Sequence, residues 1–170
     1  MNFISLARHA DSTPSHIARV EDIDRPLSAF GITQTIAFSK KMCAKRVEPD
    51  IFYVSPAQRS IHTGMILIRE LQLGFEKMRI VENLYNASEY ELLDFYEQVA
   101  EQDKHCMVIG HNPGISNFAS LLSGESYTYP TMGCVTLVQK THSHHQDNND
   151  AKNSSQQLEN NFEQLFTCLS

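Results

Sequence analysis

Short apolar runs alternate with stretches of helical periodicity from the start of the chain to about residue 140. Phe3-Ile4-Ser5-Leu6-Ala7, Ile51-Phe52-Tyr53-Val54 and Cys106-Met107-Val108-Ile109 have the length and continuity of buried strands. Between the first two, Ile32, Ile36, Ser39 and Cys43 fall on one helical face, with Ser28 as N-cap. After the second, Ser55-Pro56 reads as a cap followed by a first-turn proline, and Ile61, Met65 and Ile68 repeat at helical spacing until Gly74. Arg79-Ile80-Val81 is strand-like, and Ser88-Glu89-Tyr90-Glu91 forms a capping box ahead of Leu92, Tyr96 and Val99. Asn112-Pro113 repeats the cap-and-proline start before Phe118, Leu121 and Leu122. Val135 to Val138 and Phe162 to Cys168 predict two final strands. Such alternation predicts an α/β sheet with helices on its faces.

The tract His142 to Asn161 breaks the pattern. It is mostly His, Gln, Asn, Asp and Ser, cannot bury a core, and reads as a mobile polar insertion between the last two strands. His142-Ser143-His144-His145 within it is expected to be solvated rather than metal-binding. The whole chain, 1–170, is expected to form one domain, since 170 residues suffice for one core.

Charge narrows the functional classes. Fourteen Lys and Arg against 20 Asp and Glu give a net charge of −6, which argues against a broad nucleic-acid-binding face. No apolar run is long enough to span a bilayer, and no basic segment precedes an apolar one at the start, so no membrane contact and a cytoplasmic location are expected. Cys43, Cys106, Cys134 and Cys168 show no paired spacing, so neither a zinc site nor a disulfide framework is predicted.

Candidate chemistry gathers where three predicted strands end. In a parallel sheet, ligands bind beyond the carboxyl ends of the strands. The first strand runs into Arg8-His9-Ala10-Asp11-Ser12, the second into Ser55-Pro56-Ala57-Gln58-Arg59, and the third into Gly110-His111-Asn112-Pro113-Gly114. Two arginines and two imidazoles on one edge of an acidic protein suit a phosphoryl dianion, since guanidinium forks donate paired, charge-assisted hydrogen bonds. No P-loop lysine, Gly-rich loop or carboxylate cluster for magnesium accompanies them, so no cofactor or metal is expected. A neutral imidazole is a competent nucleophile toward phosphorus, which makes a covalent phosphohistidine the expected intermediate.

These residues also carry a resemblance. Leu6-Ala7-Arg8-His9-Ala10 resembles the RHG signature of the histidine phosphatase superfamily, and Arg25-Pro26-Leu27-Ser28 with Gly31 resembles its RPLT..G element. Ser55-Pro56 with Arg59 and Thr63 resembles its SP..R...T helix, and Gly110 to Gly114 its GHNPG segment. The resemblance runs from Phe3 to about Leu137, and the RHA variant and short length look most like the SixA-type phosphohistidine phosphatases. It implies a phosphoglycerate mutase-like fold, a three-layer α/β/α sandwich with a mostly parallel central sheet.

The resemblance further implies that His9 attacks phosphorus while Arg8, Arg59 and His111 surround the phosphate oxygens. Arg25 is a possible further phosphate contact, or a surface salt bridge with Asp22 or Asp24. Ser12 is a possible hydrogen-bond donor. Ala10 stands where the family has glycine, as in the SixA-like branch. For the proton donor the candidates are Glu82 and Asp11, neither with a firm motif. Three readings follow: a metal-independent phosphohistidine phosphatase, a small-molecule phosphomonoesterase, and a non-catalytic phosphate-binding regulator. By family implication, the partner of the first is a phosphorylated histidine-containing phosphotransfer domain or a phosphotransferase-system protein.

Overall fold

A computed structural model describes residues 2–100, 102–140 and 162–168. Among the described residues, six strands form one sheet: β1 (Phe3–Arg8), β2 (Ile51–Val54), β3 (Met78–Ile80), β4 (His105–Gly110), β5 (Cys134–Gln139) and β6 (Phe162–Cys168), in the order β3-β2-β4-β1-β5-β6. The β3-β2-β4-β1 ladders are parallel, and β5 and β6 are antiparallel, so the sheet is mixed but parallel through its centre. The predicted polar insertion and its histidines lie outside the described residues.

Among the described residues, α2 (Ala29–Lys45), α3 (Gln58–Glu70), α4 (Glu89–Val99) and α5 (Gly114–Ser123) flank the sheet, and a short α1 (Ser15–Ala18) buries no residue. Strand side chains alternate between two cores. Leu6, Val108 and Val135 meet Leu92, Tyr96 and Phe118 from α4 and α5. Ala7, Val54 and Met107 meet Phe38 and Met42 of α2 and Leu67 and Ile68 of α3. This is the expected three-layer α/β/α arrangement.

The capping box of α4 forms as predicted, with the Ser88 hydroxyl accepting from the Glu91 amide and the Glu91 carboxylate accepting from the Ser88 amide. Ser28 likewise caps α2. The inward faces of α2 and α3 depart from expectation. α2 buries Gly31, Thr35, Phe38, Ser39 and Met42, leaving Ile32 and Cys43 exposed, and α3 buries Arg59, Ser60, Thr63, Gly64, Leu67 and Ile68, leaving Met65 exposed. Ser39 and Ile68 are buried as expected, but hydrophobicity alone missed the rest because Gly31 of α2 and Thr63 of α3 turn toward the segment after β1.

Two predicted caps also differ. α3 begins after Ala57, not at Ser55, and α5 begins at Gly114, after a cis Asn112–Pro113 bond. Ser55 and Asn112 have their side chains engaged elsewhere.

Gly31 is fixed by contact. A Cβ there would come within 2.0 Å of the Asp11 carbonyl oxygen, so only glycine lets the first turn of α2 pack against the chain leaving β1. Gly31→Ala is expected to destabilise the protein by about 2 kcal/mol or more, lowering Tm by about 5 °C or more in a thermal melt. An unchanged melt would show that this close approach relaxes freely.

Candidate active site

β1, β4 and β2 lie side by side, and their carboxyl ends bring three sequence-distant segments together. Arg8 pairs in register with Gly110, and the His9 amide donates to the Gly110 carbonyl at 3.0 Å. The Ser55 amide donates to the Ile109 carbonyl at 3.1 Å, so His9, His111 and the Ser55–Arg59 turn meet at one sheet edge. The second core keeps the loop after β1 in place from beneath: Ala10 is fully buried there, so its methyl group fits. The Thr63 hydroxyl accepts from the Ala10 amide at 3.2 Å and donates to the Arg59 carbonyl at 2.7 Å, tying that loop to α3.

The hydrogen bonds assign the ring protons. His9 Nδ1 lies 2.7 Å from the Ala10 carbonyl, which can only accept, so Nδ1 carries the proton. Nε2 keeps its lone pair and accepts from Arg59 Nε at 3.2 Å. His111 Nδ1 accepts from an Arg59 terminal nitrogen at 3.4 Å, so its Nε2 donates to the Ser55 hydroxyl at 2.7 Å. The two rings meet edge to face with centroids 5.1 Å apart.

Burial and cations hold both imidazoles neutral. Desolvation pushes the His9 pKa down to about 4, with Arg59, Arg8 and Arg25 adding to the effect against the opposing Ala10 hydrogen bond. His111 is lowered to about 3 by burial, then by His9 and Arg59. Arg8 donates from one terminal nitrogen to the Tyr129 carbonyl at 3.0 Å, and Asn112 Nδ2 donates to the same oxygen at 2.9 Å. Arg8 Nε is buried and has no acceptor among the described residues.

The structure therefore brings Arg8, His9, Arg59 and His111 together, and it adds three residues that sequence reasoning missed in this role. Asp22 was expected only as a surface partner of Arg25. That pair exists, Arg25 Nε donating to Asp22 Oδ1 at 2.9 Å, but Asp22 Oδ2 also accepts from an Arg59 terminal nitrogen at 2.9 Å. The Asp22 backbone carbonyl accepts from the other Arg59 terminal nitrogen. Tyr85, whose ring stands edge-on to His111 at 5.6 Å, donates its hydroxyl to Asp22 Oδ2 at 2.8 Å. Ser55 was read as a helix cap and instead receives the His111 proton. The i,i+3 spacing of Asp22 and Arg25 was a visible signal for their pair; nothing in the chain signalled that the loop folds onto Arg59.

The other candidates sit outside this cluster. The Ser28 hydroxyl donates to Asp11 Oδ2, which fastens Asp11 to the start of α2. Ser12 forms a backbone bridge with Leu27, and its hydroxyl makes no hydrogen bond to the cluster. Glu82 opens a short 3-10 turn, is exposed, and makes no hydrogen bond or ion pair with the cluster. Arg25 is mostly buried on the rim and lowers both imidazole pKa values. Among the described residues, no group of His, Cys, Asp and Glu is arranged to hold a metal ion, and no helix is long and apolar enough to cross a membrane.

A neutral imidazole with a ring lone pair among guanidinium groups at the carboxyl ends of parallel strands suits a phosphoryl group. The family model for the histidine phosphatase superfamily, branch 1, matches residues 4–151, so the chain belongs to that superfamily and is a phosphatase of that class. Among solved structures, it is similar to a candidate SixA phosphohistidine phosphatase from Agrobacterium tumefaciens, with TM-score 0.73 and 23% identity, covering 81% of this chain and 92% of that one. It is also similar to a protein histidine phosphatase SixA complexed with tungstate, with TM-score 0.75 and 16% identity, covering 97% and 95%. A phosphoserine phosphatase mutant from Entamoeba histolytica in complex with phosphoserine matches with TM-score 0.64 and 13% identity, covering 98% and 96%. No curated protein matches in sequence.

Two predictions follow from the charges. Asp22 occupies the Arg59 fork that a phosphoryl group would take, so Asp22→Asn is expected to strengthen inhibition by inorganic phosphate about three- to tenfold, read as the inhibition constant. Unchanged or weaker inhibition would mean that Asp22 and the anion do not compete. Both histidines bind protons less readily folded than unfolded, so stability should be full above about pH 6.5 and be lost as pH falls toward 4. Histidine NMR titration should show both rings neutral at pH 5.5; either ring titrating near 6.5 would contradict this electrostatic account.

Proposed function

We propose that this phosphatase removes phosphoryl groups from protein phosphohistidine through a covalent intermediate on His9. The observation that supports this most is the state of the nearby carboxylates, all of which are placed to accept hydrogen bonds or lie exposed. Tyr85, Arg59 and Arg25 together outweigh burial and hold the Asp22 carboxyl below the ordinary range. Asp11 accepts from Ser28, and Glu82 is exposed. An alkoxide leaving group gains about 10²- to 10⁴-fold from a positioned acid. An imidazole has a pKa near about 6.5 and leaves as a neutral group after taking a proton from solvent, so it needs less from the enzyme.

In this reading, His9 Nε2 donates its lone pair to phosphorus as the bond from phosphorus to the substrate imidazole nitrogen breaks. Arg8 and Arg59 bind the equatorial oxygens, where negative charge is greatest, and His111, whose single N–H donates to Ser55, holds Arg59 in place through Nδ1. Arg59 exchanges Asp22 for the phosphoryl group as substrate enters. Water then attacks the phosphorus on His9, releasing inorganic phosphate and restoring the neutral ring. An apolar groove of about 460 Å³, bordered by Pro26, Leu27, Ile32, His62, Met65 and Phe75, begins directly after Arg25 and gives a phosphoprotein surface to bury beside the pocket. The partner proposed is a histidine-containing phosphotransfer domain or a phosphotransferase-system protein.

The test is a panel in which phosphorylated phosphotransfer domains, phosphoamino acids and sugar and nucleotide phosphates are compared by phosphate release. Turnover is expected to be highest on protein phosphohistidine, to fall at least about 10³-fold in His9→Ala, and to change little in Glu82→Ala. Faster turnover of a phosphomonoester, with a large loss in Glu82→Ala, would replace this reading by a small-molecule phosphomonoesterase. Phosphate binding with equal background rates in parent and His9→Ala would mark a non-catalytic phosphate binder.

A further inference from the structure

A second chemically distinctive pair lies across the last two strands. Cys134 of β5 and Cys168 of β6 are directly opposed in the antiparallel register, and both are free thiols. Opposed residues point to the same face: Cys134 belongs to the core under α2 and α3, and Cys168 packs against that core. Opposed Cα atoms in such ladders stand about 4.5–5.5 Å apart, within the roughly 4.4–6.8 Å that a disulfide spans.

The two sulfurs have different surroundings. Cys134 is sealed from solvent, and burial pushes its thiol far above the ordinary range. Cys168 is only partly buried, accepts a hydrogen bond from Lys41 Nζ at 3.4 Å, and lines a cavity of about 170 Å³ with Gln34, Thr131 and Gly133. One thiol is reachable from solvent and the other waits behind it.

We propose that Cys168 is an oxidation site that reacts with hydroperoxides and is resolved by Cys134 into an intrachain disulfide joining β5 and β6. The Cys168 sulfur gives an electron pair to one oxygen of the hydroperoxide, the O–O bond breaks, and an alcohol (or water, from hydrogen peroxide) leaves, giving a sulfenic acid. The Cys134 sulfur then attacks the Cys168 sulfur, and its proton departs with the hydroxyl group as water. Two thiols are oxidised by two electrons and one hydroperoxide is reduced. The bond fastens an edge strand that pairs, among the described residues, only with β5. Its inner anchor follows Gly133, whose carbonyl accepts from the Arg8 amide at 3.0 Å. The inference is independent of the substrate assigned above.

The test is treatment of the full chain with hydrogen peroxide, followed by non-reducing peptide mapping by mass spectrometry. A reducible peptide pair linking residues 134 and 168 is expected, together with a Tm raised by several degrees. Cys134→Ala is expected to lose the link and to accumulate a dimedone adduct at Cys168; Cys168→Ser is expected to lose both. Exposed Cys43 serves as an internal reference for simple surface oxidation. Should Cys168 remain reduced, or link only to Cys43 or to another chain, the proposal is overturned. The Cys168→Ser comparison, at a partly exposed position, keeps the test decisive if the core variant fails to fold.

Discussion

The site depends on keeping an imidazole neutral in the middle of several positive charges. His9 gives its Nδ1 proton to the Ala10 carbonyl and turns its Nε2 lone pair toward Arg59, while burial removes the water that would stabilise an imidazolium ion. The same cations that repel a proton attract a phosphoryl dianion. An arrangement unfavourable to an imidazolium is thus favourable to an anion, and in the proposed mechanism nucleophile and anion cage are consequences of one electrostatic constraint.

The fold supplies that constraint by bringing β1, β4 and β2 together rather than by any local motif. Arg8 and His9 leave β1, His111 leaves β4, and Ser55 leaves β2, so each residue is fixed by a ladder buried on both faces. Around this rigid edge, Asp22 and Tyr85 arrive on the 3-10 turn before Arg25 and the one after β3, and meet over Arg59. Asp22 satisfies the Arg59 fork without phosphate, which prevents a nearly buried guanidinium from going unpaired. In the proposed mechanism that contact is exchanged when a phosphoryl group enters.

Much of this was legible in the chain because Arg8, His9 and His111 sit at strand ends, where a strand-length apolar run followed by Arg or His is visible without coordinates, and Arg59 lies in the first turn of the helix that follows β2. The α4 capping box was legible for the same local reason. What was not legible depended on long-range packing. Ser55 and Asn112 look like helix caps, yet their side chains serve His111 and the Tyr129 carbonyl because the caps fall two residues later, at Ala57, and one residue later, at Pro113. The buried faces of α2 and α3 were misread because Gly31 and Thr63 turn inward to meet the loop after His9, and Arg59 to meet His9 itself, a demand that hydrophobic periodicity does not encode. Asp22 was seen as a partner of Arg25, but its reach to Arg59 is a property of loop placement.

The central claim is that a neutral, Nδ1-protonated His9 attacks phosphorus from Nε2. Rapid chemical quench during turnover, followed by peptide mass spectrometry and NMR of the phosphorylated imidazole, reads it directly. The account predicts a transient phosphoryl group on His9, bonded through Nε2. A phosphoryl group on Nδ1 or on another residue, or turnover with no covalent phosphoenzyme at any time point, would contradict it.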